Sequence, residues 1–285
     1  MPVEVKVLGP LFVGDGCGVE YAPTAPKSRQ LLALLVLNAN QVVSTAMCID
    51  ELWGSSPPAS AASTVQTYIL QIRRALRRMP ALGGSQAESL RTRHQGYQFV
   101  VGREEMDLFR FKESLAQARI ALTAENYELG ASLLQEGLGT WRGPALVDVQ
   151  AGPLISMHLT QLGELRFSAL EQRIEAELRM GLHHELISEL FRLVEEFPVH
   201  ENLHAQLMVA LYRAGRRAQA LEVYQQLRTV LISELGIEPS SRIQHLHGAV
   251  LSNDSALEPP VARPSGLARS LDLVGSGPVG PGGLR

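Results

Sequence analysis

The sequence predicts a mostly α-helical protein with a small β component: a helix-and-hairpin module at the N-terminus, then a longer all-helical part. Three observations carry this. Residues 64–78 have helical periodicity, with one apolar face and one face that ends in arginines. Residues 90–99 alternate around a glycine-containing turn, as a β-hairpin does. From Asp107 to about Leu235, apolar residues recur at spacings of three and four between breaker residues.

The elements follow in order. Val3 to Val13 and Val19 to Ala22 read as short strands, and Gly14-Asp15-Gly16 supplies a turn before the last of them. Arg29 to Leu37, nearly all Leu, Ala and Val, reads as a buried helix. Gln41-Val42-Val43 is a short strand. Ser44 is a candidate N-cap for a helix from Thr45 to Trp53, stopped by Gly54 and Pro57-Pro58. In the next helix Val65, Ile69, Ile72 and Leu76 fall at i, i+4, i+7 and i+11, a core stripe. Thr64, Thr67, Gln71, Arg74 and Arg78 share another face, short and polar at its start and cationic at its end. In Leu90-Arg91-Thr92-Arg93-His94-Gln95-Gly96-Tyr97-Gln98-Phe99, Arg91 and Arg93 alternate with Leu90 and Thr92, so both arginines project from one side. The turn centres on His94-Gln95-Gly96, with Gly96 able to take a positive φ.

An ordinary surface helix with a basic end shows the same periodicity as residues 64–78. What distinguishes this one is its neighbourhood: three helices and a basic hairpin in this order are the layout of a winged helix. A helix lying in the DNA major groove reads base edges with its N-terminal residues and touches phosphates with its charged ones. The chain's formal charge is −3, but it is unevenly distributed. Residues 1–102 carry nine Lys/Arg against six Asp/Glu, a net of +3, and the remainder carries 17 against 23, a net of −6. Six of the nine cations lie in the basic helix and hairpin. That clustering matters more than the total, because only charges near phosphates release counterions.

The helical part begins with Leu108, Phe111, Leu115, Ala118 and Leu122, continues through Ala131, Leu134 and Leu138, and breaks at Trp141-Arg142-Gly143-Pro144. A long helix from about Ser156 to Met180 is followed by Gly181, a plausible C-cap. Helices from about His184 to Phe197, Glu201 to Ala214 and Arg217 to Leu235 come next. Paired helices of this length suggest tetratricopeptide-like stacking, with Ala220 and Tyr224 at the small-then-aromatic spacing of a second repeat helix. Past Leu251 the composition turns to Pro, Gly and Ser, so residues 252–285 are expected to form a flexible tail.

Several classes find no support in the residues. No Gly-x-x-x-x-Gly-Lys-Ser/Thr run and no Gly-x-Ser-x-Gly elbow is present. His200-Glu201-Asn202-Leu203-His204 matches the zinc-protease pattern. It starts just after Pro198, in a helix's first turn, and no compelling third ligand follows it, so no metal is expected. No catalytic constellation and no cofactor site is legible. The first residues lack an apolar signal core and no apolar run reaches spanning length, so a cytoplasmic protein with Cys17 and Cys48 reduced is expected.

The blocks "APKSRQLLALLVLNANQVVS", "ELWGSSPPASAASTVQTYILQIRRAL" and "TRHQGYQF" resemble the DNA-binding domain of the streptomycete antibiotic regulatory proteins, itself similar to the winged helix of OmpR-type response regulators. "FPVHENLHAQLMVALYRAGRRAQALEVYQQLRTVLISELGIEPS" resembles the bacterial transcriptional activation domain that follows it in that family. The resemblance implies an OmpR-type winged helix over residues 1–102 and a tetratricopeptide-like activation domain over 103–251. It implies a sequence-specific activator of an antibiotic gene cluster. Such an activator binds direct repeats in double-stranded promoter DNA, self-associates there, and recruits RNA polymerase holoenzyme through its σ factor. By position, Thr64 opens the recognition helix and corresponds to a phosphate contact. Thr67 and Gln71 face bases, Gln71 being able to pair bidentately with adenine. Tyr68, Arg73, Arg74 and Arg78 suit phosphates, and Arg91 in the wing is a further candidate DNA contact. Arg93 corresponds to the wing arginine of the minor groove. Trp53 reads as core, with a possible phosphate contact through its indole N–H. Where OmpR-like readers carry consecutive arginines this chain has Leu70-Gln71, which shifts readout away from arginine–guanine pairs. The alternative is a helical scaffold or signalling adaptor whose DNA-binding domain is degenerate.

Overall fold

The computed structural model describes residues 3–79 and 89–258. Most of the expected tail lies outside the described residues. Compactness divides the chain into two units, residues 1–172 and 173–285. Among the described residues, no helix is long and apolar enough to cross a membrane.

In the first unit, strands β1 (Val3–Lys6) and β2 (Phe12–Asp15) pair antiparallel, Val3 opposite Asp15 and Lys6 opposite Phe12. Val19 to Ala22 does not form the expected further strand; it pairs with β2 only through a single bridge, Gly14 to Glu20, the Asp15 N–H donating to the Val19 carbonyl and the Tyr21 N–H donating to the Val13 carbonyl. The Asp15 carboxylate is the cause. It accepts the backbone N–H groups of Cys17 and Val19, both at 3.1 Å, and curls the chain into a turn. Helix α1 (Pro26–Leu37) has proline in its first turn and is buried nearly all round, through Leu31, Leu32, Leu34 and Leu35. Strand β3 (Val42–Ser44) leads into α2 (Thr45–Trp53). As predicted, Ser44 is the N-cap, its hydroxyl accepting the Met47 N–H at 3.1 Å. Helix α3 (Ala61–Leu76) follows, then β4 (Leu90–Arg93) and β5 (Gly96–Phe99). The sheet order is β3-β5-β4, so the hairpin is fastened to the helices through β3.

Helices α4 (Asp107–Thr123) and α5 (Tyr127–Gly139) form a hairpin, and α6 (Pro153–Arg179) begins in this unit. The sequence marks a division at 102/103, where the sheet ends. Compactness instead groups α4, α5 and most of α6 with the winged helix. Three carboxylates explain this. Asp107 at the start of α4 is 2 % exposed and accepts the N–H groups of Val7 and Leu8 at 2.9–3.0 Å. Burial pushes its pKa up, against the pull of those N–H groups and of the Arg142 guanidinium at 3.5 Å. Asp148 accepts the Leu11 N–H at 2.7 Å and pairs with Arg29 of α1. Its partial burial raises its pKa, but the Leu11 N–H and the Arg29 guanidinium together outweigh that and hold the carboxyl below its ordinary value. Glu51 of α2 sits at the N-terminus of α6, accepting the N–H groups of Gly152, Leu154 and Ile155 at 2.6, 2.9 and 3.0 Å. A carboxylate there satisfies orphan donors and complements the helix dipole. Only glycine fits at 152, since a Cβ would stand 2.1 Å from the Glu51 carbonyl oxygen.

The second unit stacks α7 (His183–Glu196), α8 (Glu201–Arg213), α9 (Arg217–Leu235) and α10 (Ser241–Ser252) as antiparallel neighbours in the tetratricopeptide manner. Ala220 and Tyr224 are buried, as their spacing suggests, and the Tyr224 ring stacks on His247 at 3.9 Å. Helix α10 is not delineated by sequence reading; only Ile243 and Val250 are buried along it, too sparse a stripe to stand out. Within the zinc-like motif, Glu201 accepts from the backbone N–H and hydroxyl of Ser240 ahead of α10, and His204 Nδ1 lies 3.1 Å from the His200 carbonyl. Ser255–Leu257 form a single 3-10 turn, where the Arg213 Nε donates to the Leu257 carbonyl at 2.8 Å.

Cys17 is exposed and Cys48 is buried in α2; neither forms a disulfide. Burial pushes the Cys48 thiol up to about 12. A thiol reagent at pH 8 is therefore expected to modify one cysteine in the native protein and the second only on unfolding. Two fast equivalents in the native state, or a Cys17→Ser variant that still reacts rapidly, would contradict the buried position of Cys48.

Candidate nucleic-acid interface

The core stripe of α3 is as predicted, with Val65, Ile69, Ile72 and Leu76 buried against the core. What remains outward is a continuous face: Ser63, Gln66, Thr67, Leu70, Gln71, Arg74, Arg77 and Arg78. The helix starts at Ala61, so Thr64 lies within its first turn rather than opening it. The Pro58 carbonyl accepts the Ala61 N–H at 2.9 Å and starts the helix earlier. Sequence reading therefore passed over Ser63 and Gln66, one turn ahead of Thr67 and Leu70, and left Arg77 out of the face. The i, i+3, i+4 spacing places all three on the same outer face.

Each proposed contact has a definite environment. The hydroxyls of Thr64 and Thr67 donate back to the carbonyls of Ser60 and Ser63 at 2.9 and 3.1 Å, so a phosphate must displace those bonds to take either proton. Tyr68 is half-buried and its ring stacks on that of Trp53, centroids 6.5 Å apart. Trp53 is thereby both packed and at the edge of the face, at the end of α2. The amide oxygen of Gln71 accepts the hydroxyl of Ser28 from α1. Arg74 and Arg78 are exposed. Arg73 departs from the others. Its guanidinium turns to the hairpin and donates to the Thr92 hydroxyl at 2.7 Å and the Leu90 carbonyl at 3.3 Å. It ties α3 to β4.

In the hairpin Thr92 faces α3 through that bond, which puts Arg91 and Arg93 together on the opposite side of β4, as the alternation requires. Arg93 is exposed, and its Nε donates to the Gln98 amide oxygen at 2.8 Å. The positive φ of the turn falls on Gln95, at +65°, and not on Gly96. Gly96 is needed for another reason: a Cβ there would stand 2.2 Å from the Val43 carbonyl oxygen of β3.

A helix with a polar-to-cationic outer face, seated on two other helices and tied to a two-arginine hairpin, defines a winged-helix DNA-binding protein of the OmpR type. The chain matches the family model for the C-terminal domain of transcriptional regulatory proteins over residues 20–99 and the bacterial transcriptional activator domain over 106–251. It is 43 % identical over 260 residues to regulatory protein DnrI of Streptomyces peucetius, covering 90 % of this chain and 94 % of that protein. It is 34 % identical over 265 residues to the transcriptional regulator RedD of Streptomyces coelicolor, covering 91 % and 73 %. Among solved structures, Mycobacterium tuberculosis EmbR in complex with a low-affinity phosphopeptide superposes with a TM-score of 0.81 at 29 % identity, over 95 % of this chain and 68 % of that one. The chain belongs to the streptomycete antibiotic regulatory protein family, and is a DNA-binding transcriptional activator of that kind.

Proposed function

We propose that residues 1–102 place α3 in the major groove and the β4–β5 hairpin in the adjoining minor groove of direct repeats upstream of a biosynthetic gene cluster. Successive copies bind head-to-tail on one face of the DNA, and the helical part engages RNA polymerase in the cytoplasm. The observation that carries this is the Arg73 tether, which holds the hairpin beside the outer face of α3, so one rigid body can present both. Thr67, Gln71 and their missed neighbours Ser63 and Gln66 face base edges. Arg74, Arg77 and Arg78 neutralise phosphates, with Thr64, Tyr68, Arg91 and the Trp53 indole at the flanks. Selection of random duplex DNA by the full-length chain, with a salt titration of the enriched sequences, tests the reading. A direct repeat with log K falling steeply against log salt is the expected result. Salt-sensitive binding with no enriched sequence would favour the scaffold alternative.

Arg93→Ala is expected to weaken binding to the selected site about tenfold and to flatten any A·T preference beside it, because the narrow A·T minor groove concentrates negative potential. Affinity and flanking preference unchanged from wild type would remove the wing from the interface.

A further inference from the structure

We infer that Ser28, on α1 beneath the recognition helix, is a positioning residue for base readout: it turns the Gln71 side chain so that its amino group, and not its oxygen, faces the groove. The inference rests on the reading that α3 occupies the major groove.

Ser28 is fully buried, while Gln71 is exposed at the middle of the outer face of α3. The two meet through the Ser28 hydroxyl donating to the Gln71 amide oxygen at 2.5 Å. A carboxamide carries its acceptor and its two donors on opposite sides of one carbon. With the oxygen drawn back to a buried partner, the edge left outward is the NH₂. The bidentate contact expected from glutamine with adenine needs both: an N–H to N7 and the oxygen for N6–H. An NH₂ edge alone requires only an acceptor. Purine N7, guanine O6 and thymine O4 offer one, whereas cytosine presents only its N4 donor. Gln71 therefore acts as a filter that rejects cytosine at its position instead of selecting adenine. Releasing the hydroxyl costs more than an exposed hydrogen bond would, since Ser28 has no access to water and would be left without its acceptor.

The experiment measures relative affinities for all four bases at each position of a duplex chosen by in vitro selection, for the full-length wild type, Gln71→Ala and Ser28→Ala. Thermal unfolding is followed in parallel. The position read by Gln71 is the one whose preference Gln71→Ala erases. There the wild type is expected to bind cytosine about tenfold more weakly than the other three bases. Ser28→Ala frees the amide oxygen, and adenine is expected to gain about tenfold over guanine and thymine at that position alone, a bidentate pair being worth that much. Three outcomes overturn the inference. If Gln71→Ala erases a preference that Ser28→Ala leaves untouched, the groove reading stands and Ser28 has no part in it. If Ser28→Ala weakens all sequences equally, it acts only through packing. If Gln71→Ala changes no position, the groove reading of Gln71 fails, and the inference with it.

Discussion

Replacing Glu51 with alanine is expected to destabilise the first unit by about 3–5 kcal/mol, because several neutral N–H donors lose one shared acceptor. Glu51 is 2 % exposed and accepts three backbone N–H groups at the start of α6, together with the Gln30 amide at 2.9 Å. Truncation leaves three backbone N–H groups at the start of α6 without their acceptor. Each buried donor left unmet costs about 1–3 kcal/mol, and the released desolvation penalty of the carboxylate returns only part of that. In thermal unfolding this corresponds to a fall of about 10 °C. Glu51→Gln keeps one good acceptor and should lose about half as much. A Glu51→Ala protein melting within 2 °C of wild type, on the scale of about 2–4 °C per kcal/mol, would show that the α2–α6 link carries little of the stability.

Gly96→Val is expected to strip the hairpin from the body of the domain. The nearest neighbour of a new Cβ is a backbone oxygen, Val43 O at 2.2 Å, which has no rotamer to escape into. The β3–β5 pairing of Ser44 with Gly96 and the bond from the Thr45 N–H to the Gln95 carbonyl at 3.0 Å must open to make room. Overpacking of this kind costs about 1–3 kcal/mol or more. Operator affinity should fall at least about tenfold, because both wing arginines lose their fixed position. Hydrogen exchange at Val43 and Tyr97 would report the opening directly. Unchanged exchange there, with unchanged DNA affinity, would refute it.

The elements most legible in the sequence are those whose cause is local. Ser44 precedes an apolar run and caps it; Val65, Ile69, Ile72 and Leu76 repeat at the helical period and are buried; Arg91 and Arg93 alternate and share a side. Those readings hold because hydrogen-bonding geometry and side-chain periodicity act over a few residues. Of the candidate interface, the exposed cations Arg74 and Arg78 were legible for the same reason. Arg73 was not: nothing in its neighbours along the chain distinguishes it from Arg74, and only the hairpin packed seventeen residues away turns it inward. Gly96 was read as able to take a positive φ, which falls instead on Gln95; what requires glycine there is the Val43 carbonyl, far back in sequence.

By itself, then, the sequence determined the class of fold, the order of helices and hairpin, the helix face that ends in exposed arginines, and the family. The tertiary structure alone decided which polar groups are spent inside the protein. Glu51, Asp107 and Asp148 look like ordinary surface acids in the sequence, yet they bond to backbone N–H groups about 100 or more residues away and join the first helices of the activation domain to the winged helix. Ser28 and Arg73 are likewise claimed by partners on other elements. The reason is physical: a carboxylate, hydroxyl or guanidinium carries no periodic signature of its own. Its partner is set by which backbone donors and carbonyls packing leaves unsatisfied.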